Sequence, residues 1–266
     1  MRHNASGFAA RGGWALTTVL LLLAGCGAEA LPQPPAPPSS PVARATPSPS
    51  VAAAEPTPTM KLSELPGAGP GPGSDGVPAL TLLAELEVKG RAPRTGYARD
   101  EFGQRWADID RNGCDQRNDV LNRDLTDVTH KENTHGCVVL TGVLDDPFTG
   151  QRIDFVRGQD TSSKVQIDHV VALSDAWQKG AQQLTREERE RFGNDPLNLL
   201  AVDGPANQQK SDGDAATWLP PDKAFRCEYV ATQIAVKRRY GLWVTEAERQ
   251  AMLRVLSTCP RELAPA

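Results

Sequence analysis

Residues 27–78 cannot build a hydrophobic core, and this confines the fold of a 266-residue chain to the residues beyond them. The segment contains PQPPAPPSSP, ATPSPS and GAGPGPGSDG. Proline, serine and glycine at this density leave too little apolar surface to offset the entropy of ordering, so an extended, solvated tether is expected. Residues 79–262 are then the one stretch long enough to bury a core of their own, and no internal repeat divides them.

Ahead of the tether, residues 1–26 have the layout of an export signal. Arg2 and Arg11 precede the mostly apolar run Trp14–Leu23, which is too short to span a bilayer. Leu23-Ala24-Gly25-Cys26 resembles a bacterial lipobox, with Cys26 as the lipid acceptor. A lipid there would anchor the protein to the outer face of the cytoplasmic membrane without spanning it. An ordinary secretory signal is the alternative, and either way the domain is exported.

Cysteine use agrees. Cys114, Cys137, Cys227 and Cys259 remain, and none forms the C-x-x-C pair of a structural zinc site. In an oxidising compartment two disulfides are expected. Three pairings are possible, and local loop closure favours Cys114–Cys137 with Cys227–Cys259.

The element pattern is α+β. Residues 79–88 suit a helix or a strand. Residues 97–107 predict a short helix with Phe102 and Trp106 on one face. Residues 108–127 read as polar turns; Asp108, Asp110 and Asn112 begin like a calcium loop, but Asp119 stands where the closing glutamate belongs. Residues 137–143 and 151–156 predict a hairpin around Asp146-Pro147. Residues 165–173 predict a strand, 198–202 a second strand, and 205–218 contain a helix. Thr185-x-x-Glu188 and Thr245-x-x-Glu248 are capping boxes opening helices, and 222–240 predicts a longer helix whose last turn carries Lys237-Arg238-Arg239. That basic run favours the helix dipole and offers a nonspecific nucleic-acid contact.

The chemistry concentrates in VQIDHVVAL (165–173) and DPLNLLAVDGPANQQKSD (195–212). A histidine, with an ordinary pKa of ~6.5, is a good general base at neutral pH once a partner fixes its ring. Asp168 and the amide oxygen of Asn207 are hard donors suited to a divalent cation. Strand alternation sends Asp168 and His169 to opposite faces, so serving one phosphate would require a bend.

These two stretches resemble an HNH nuclease, the ββα-metal fold. More closely, the run from Tyr97 to Pro260 resembles an exported bacterial family related to the C-terminal domain of the GmrSD type IV restriction enzymes. The resemblance implies a ββα-metal core with added helices, stapled here by disulfides. It implies His169 as the base, Asn198 as the residue that orients it, Asp168 and Asn207 as metal ligands, and Lys210 near the phosphate. With no terminal His in the metal set, it implies Mg²⁺ or Mn²⁺.

The implied activity is endonucleolytic hydrolysis of nucleic acid, DNA ahead of RNA. Arg117 and Arg123 are further candidates for phosphate contact. One compositional fact opposes this: from residue 76 onward there are 25 basic and 29 acidic side chains, whereas nonspecific nucleic-acid binders carry a basic excess. A non-catalytic envelope lipoprotein using the same fold for binding is therefore the rival, and a hydrolase of another phosphodiester a third possibility. Oligomeric state is not legible.

Overall fold

The computed structural model of the chain describes residues 76–159 and 161–266. The export signal, its Cys26 and nearly all of the tether lie outside the described residues. The α+β expectation holds: the described residues form seven α-helices and five strands in two small antiparallel sheets.

Helix α1 is Ala79–Glu85, which resolves the helix-or-strand ambiguity there. The helix expected over 97–107 is reduced to a 3-10 turn, Arg99–Phe102. Gly103 comes next at φ 70° and Trp106 stands at φ 58°, so the chain twists and the two aromatics part. Phe102 enters the core beside Trp177 and Phe192, while Trp106 goes elsewhere.

The polar stretch 108–127 hides helix α2, Gln116–Asp124. Asp115 caps it by accepting the Asn118 N–H at 2.8 Å. Val120 and Leu121 are its buried apolar pair, too few to make a helical period legible. Strands β1 (Thr126–His130), β2 (Val139–Asp145) and β3 (Arg152–Val156) form one sheet in that order; β2 and β3 are the expected hairpin. Asp146 closes its turn by accepting the Thr149 N–H.

Strand β4 (Val165–His169) pairs with β5 (Leu199–Asp203), Asp168 facing Leu200 and His169 facing Leu199 across the ladder. The strand stops four residues earlier than expected, because Val170 and Val171 turn to bond Asn198 and α3 (Leu173–Trp177) begins. Helix α4 (Arg186–Asn194) opens with its capping box. Helix α5 (Gly204–Lys210) succeeds β5 directly, with Asp203 accepting the Ala206 N–H at 2.8 Å. Gly204 is required: a Cβ there would lie 2.2 Å from the Ser163 carbonyl oxygen. The absent side chain lets α5 lie against the start of β4. Together β4, β5 and α5 are a ββα unit.

Around this unit, α2 packs Val120, Leu121 and Leu125 against Val139, Phe155, Val165, Ile167 and Leu199, joining both sheets in one core. Helices α6 (Arg226–Arg239) and α7 (Glu246–Leu256) make a second core with α1. The favoured disulfides both form, Cys114–Cys137 and Cys227–Cys259, with Cα separations of 5.2 and 6.4 Å.

The interior also holds an ionic cluster. Lys179 lies 2.7 Å from Asp175, 2.8 Å from Asp214 and 2.6 Å from Glu248; Lys237 lies 3.2 Å from Asp175 and 3.0 Å from Glu248. Arg91 reaches Asp175 and Asp214 from the surface. Three cations balance three carboxylates, the condition for burying them. Of the basic run at 237–239, Lys237 is buried in this cluster, while Arg238 and Arg239 stay at the surface, paired with Glu85 and Asp195.

Candidate active site

Alternation along β4 sorts the site. Gln166 and Asp168 face α5; Val165, Ile167 and His169 face the other way. On the α5 side, the Asn207 amide nitrogen donates to Gln166 Oε1 at 3.0 Å. One helical turn further, Lys210 Nζ donates to Asp168 Oδ1 at 2.9 Å and to the His169 carbonyl at 2.7 Å. Both partners are buried, and burial raises the Asp168 pKa against the opposing charge of Lys210.

Across the strand, His169 Nε2 lies 2.8 Å from the Gly193 carbonyl at the end of α4. A carbonyl only accepts, so Nε2 carries the proton and Nδ1 is the ring's acceptor. Burial drives the pKa of His169 down to about 4, outweighing the Gly193 bond that opposes it; Arg99, Lys210 and Arg105 push the same way as burial. The imidazole is therefore neutral at neutral pH.

The Trp106 ring lies parallel to it, interplanar angle 10° and centroids 6.1 Å apart. Asn194 fixes that neighbour: its side chain accepts the Ala107 N–H and donates to the Gln104 carbonyl. His169 opens on a cleft of about 210 Å³, walled by Arg99, Arg105, Trp106, Leu173 and Asn194.

Asn198 is wholly buried and does not touch the imidazole. Its Oδ1 accepts the Val171 N–H at 2.8 Å, and its Nδ2 donates to the carbonyls of Val171 and Phe192. It thus clamps the backbone just after His169 to the backbone just before Gly193. The ring's own residue and its hydrogen-bond partner are held by one amide.

The structure brings Asp168 together with Lys210, and Asn207 with Gln166. It sends His169 to the other face: β4 keeps its ladder through His169, which opens on the cleft walled by Arg99, Arg105 and Trp106. Lys210 instead lines a separate cleft with Arg91, Arg94 and Asp212. Arg123 is engaged by the scaffold, donating to Asp124, to the Pro196 carbonyl and to the Leu199 carbonyl. Arg117 is half-buried, 3.5 Å from the Val165 carbonyl, and its pKa is lowered by burial first and then by the charges of Arg157 and Arg105. Trp106, Asn194, Arg99 and Arg105 were not legible as site residues; the Arg105-Trp106 pair was their one sequence signal.

Whether the α5 face suits a divalent cation turns on its donors. Asp168 Oδ2 is buried with no hydrogen-bond partner among the described residues, and Asn207 adds an amide oxygen on the same face. Both are hard oxygen donors of the kind Mg²⁺ and Mn²⁺ take. The one triad of His, Cys, Asp or Glu side chains grouped for a metal among the described residues is Cys227, Cys259 and Glu262, whose sulfurs are bonded to each other. An ion at Asp168 would complete its shell from water and substrate.

Strands β4 and β5 with α5 thus form a ββα unit that carries His169 on one face, and Asp168 with Lys210 and Asn207 with Gln166 on the other. Residues 115–255 match the family described as GmrSD restriction endonucleases, C-terminal domain. A protein of Arthroderma benhamiae described as an uncharacterized secreted protein is 38% identical over 183 residues, covering 68% of this chain and 84% of its own length. The chain belongs to the GmrSD C-terminal-domain family. No solved structure matches it.

Proposed function

We propose that the domain is an exported, divalent-metal-dependent endonuclease that hydrolyses phosphodiester bonds of nucleic acid, DNA ahead of RNA. The observation that carries this reading is His169: a neutral imidazole, tied through Nε2 to Gly193 and open to a cleft. Its Nδ1 accepts a proton from water, and the resulting hydroxide attacks phosphorus as the bond to the leaving oxygen breaks. Gly193 and Asn198 hold the ring in place. A cation held by Asp168 and Asn207 would stand on the opposite face of β4 from the imidazole and would supply charge neutralisation on the α5 side. Lys210, already on Asp168, opposes the burial that raises the pKa of that carboxylate.

Export is supported by the signal layout of residues 1–26, by two disulfides, and by the description of the relative as secreted. Among the described residues no helix is long and apolar enough to cross a membrane. A lipid at Cys26 would attach the protein to the membrane surface.

One observation favours a second reading, a non-catalytic binding module. Asp168 and His169 serve opposite faces of a regular strand, and the carboxylate is already neutralised by Lys210. Plasmid nicking by the purified full chain separates the two. The nuclease reading expects nicking with Mg²⁺ or Mn²⁺, abolished by EDTA and by His169→Ala. DNA and RNA left intact across a metal screen, or nicking indifferent to His169→Ala, overturns it.

A further inference from the structure

The net charge of −4 hides a local excess of the opposite sign. Arg99 and Arg105 both line the cleft on which His169 opens. Both are exposed, and neither side chain makes an ion pair or a hydrogen bond among the described residues. Asp100 is the one carboxylate in the lining, and it pairs with neither. The Arg105 guanidinium lies over the Trp106 ring, 4.9 Å from its centroid, and that ring lies parallel to His169. Trp106 holds φ 58°, a conformation that costs a bulky side chain and that recurs where function demands a placement. Most other arginines of the fold are engaged: Arg91 by Asp175 and Asp214, Arg123 by Asp124, Arg189 by Glu101, Arg239 by Asp195. Arg99 and Arg105 are the two guanidiniums that line the cleft of the imidazole, and both are unpaired.

We infer that Arg99 and Arg105 form an anion subsite that grips a backbone phosphate of nucleic acid beside His169, with Trp106 as its apolar wall. The inference rests on the nuclease reading of the same cleft and supplies its substrate contact. Burial lowers the pKa of Arg105 and Arg99 lowers it further, as expected for two like charges held close without an anion between them. A phosphodiester would relieve that repulsion, and a planar guanidinium matches two phosphate oxygens at once. An aromatic interleaved with arginines is the composition of a surface that tracks a nucleic-acid strand.

The test is binding without cleavage. Labelled duplex and single-stranded oligonucleotides are titrated in EDTA with the full chain, with Arg99→Ala/Arg105→Ala, and with Arg99→Lys/Arg105→Lys, over a range of salt. The double alanine variant should melt as the parent does, because both side chains are exposed. It should bind at least tenfold more weakly at low salt. Its slope of log K against log salt should flatten by about 1.8 on duplex or about 1.4 on single strand, and the lysine variant should keep the parent's slope. Unchanged affinity and slope in the alanine variant overturn the inference. So does equal competition by inorganic phosphate or by a poly(glycerol phosphate), which would make the site one for free phosphate or for an envelope polymer. His169→Ala should retain the binding. A protein that binds through these arginines yet never cleaves therefore sinks the nuclease reading alone, and one that cleaves but ignores them sinks this inference alone.

Discussion

Lys210 places its ammonium 2.9 Å from Oδ1 of Asp168, fully buried, while Oδ2 of the same carboxylate has no hydrogen-bond partner among the described residues. The lysine acts as a tethered monovalent cation where a divalent one would have to sit. Removing it strands a charge in the interior, so Lys210→Met should cost about 3 kcal/mol in urea unfolding. The double variant with Asp168→Asn should cost less than the sum of the single changes, because the pair acts as a unit. Mn²⁺ should raise the melting temperature of Lys210→Met more than that of the parent. Equal shifts would mean that lysine and metal do not compete for Asp168.

The clamp at Asn198 gives a second prediction. Its amide satisfies the Val171 N–H and the carbonyls of Val171 and Phe192 at a site with no exposure. Asn198→Ala leaves those groups dry and unpaired, at about 1–3 kcal/mol apiece before relaxation. A loss of about 3 kcal/mol is expected by denaturant titration. Nicking should fall with it even where the protein remains folded, because Val171 and Phe192 flank the two ends of the His169–Gly193 bond. Full activity in a folded Asn198→Ala would show that the ring needs no such mount.

These residues were nameable in advance because the ββα unit is local. Asp168-His169, Asn198, Asn207 and Lys210 fall within 43 residues, and their elements are set by a hairpin and by a helix capped at Asp203. Strand alternation correctly separated Asp168 from His169, and the bend that would have reunited them is absent. The partners were harder to read. Lys210 was expected near a phosphate, and nothing local says that α5 lies close enough to bury it; that closeness comes from Gly204 against Ser163. Trp106 was assigned to a helix face with Phe102, and two left-handed residues between the expected ends broke that periodicity. Lys237 reads as part of a surface basic run because its partner Asp175 is 62 residues away, and Lys179, four residues from Asp175, is completed by Glu248 69 residues away.

The buried ionic cluster predicts how the fold meets acid. Burial alone would raise Asp175, but Lys237, Lys179 and Arg91 outweigh it and hold its pKa at about 2. Asp214 is lowered as well, its burial outweighed chiefly by Lys179. An unfolded aspartate titrates near ~3.9. The folded pKa is the lower one, so the stabilisation is complete above about pH 4 and is lost as pH falls through about 2. In that window the unfolded chain binds protons that the folded chain refuses, and stability rises with pH. Asp175 alone should contribute about 2–3 kcal/mol across it. Urea midpoints between about pH 2 and about pH 5 should climb steeply for the parent and less steeply for Asp175→Asn. Parallel profiles would remove Asp175 as the cause.

The two disulfides should be separable by what they hold. They span 23 and 32 residues of sequence, so loop-closure entropy assigns each about 3–4 kcal/mol. Cys114–Cys137 ties the residue before the α2 cap to the approach of β2, and α2 carries Arg123 and Asp124, which bond Pro196, Leu199 and Ala201 around β5. Cys227–Cys259 joins α6 to the segment after α7, and neither cysteine bonds β5. Cys114→Ser/Cys137→Ser and Cys227→Ser/Cys259→Ser should therefore lose similar stability in urea. Only the first should also loosen β5, read as faster amide exchange at Ala201 and as weaker nicking at a temperature where both variants remain folded. Equal exchange at Ala201 in the two variants would detach α2 from the positioning of the strand that pairs with His169.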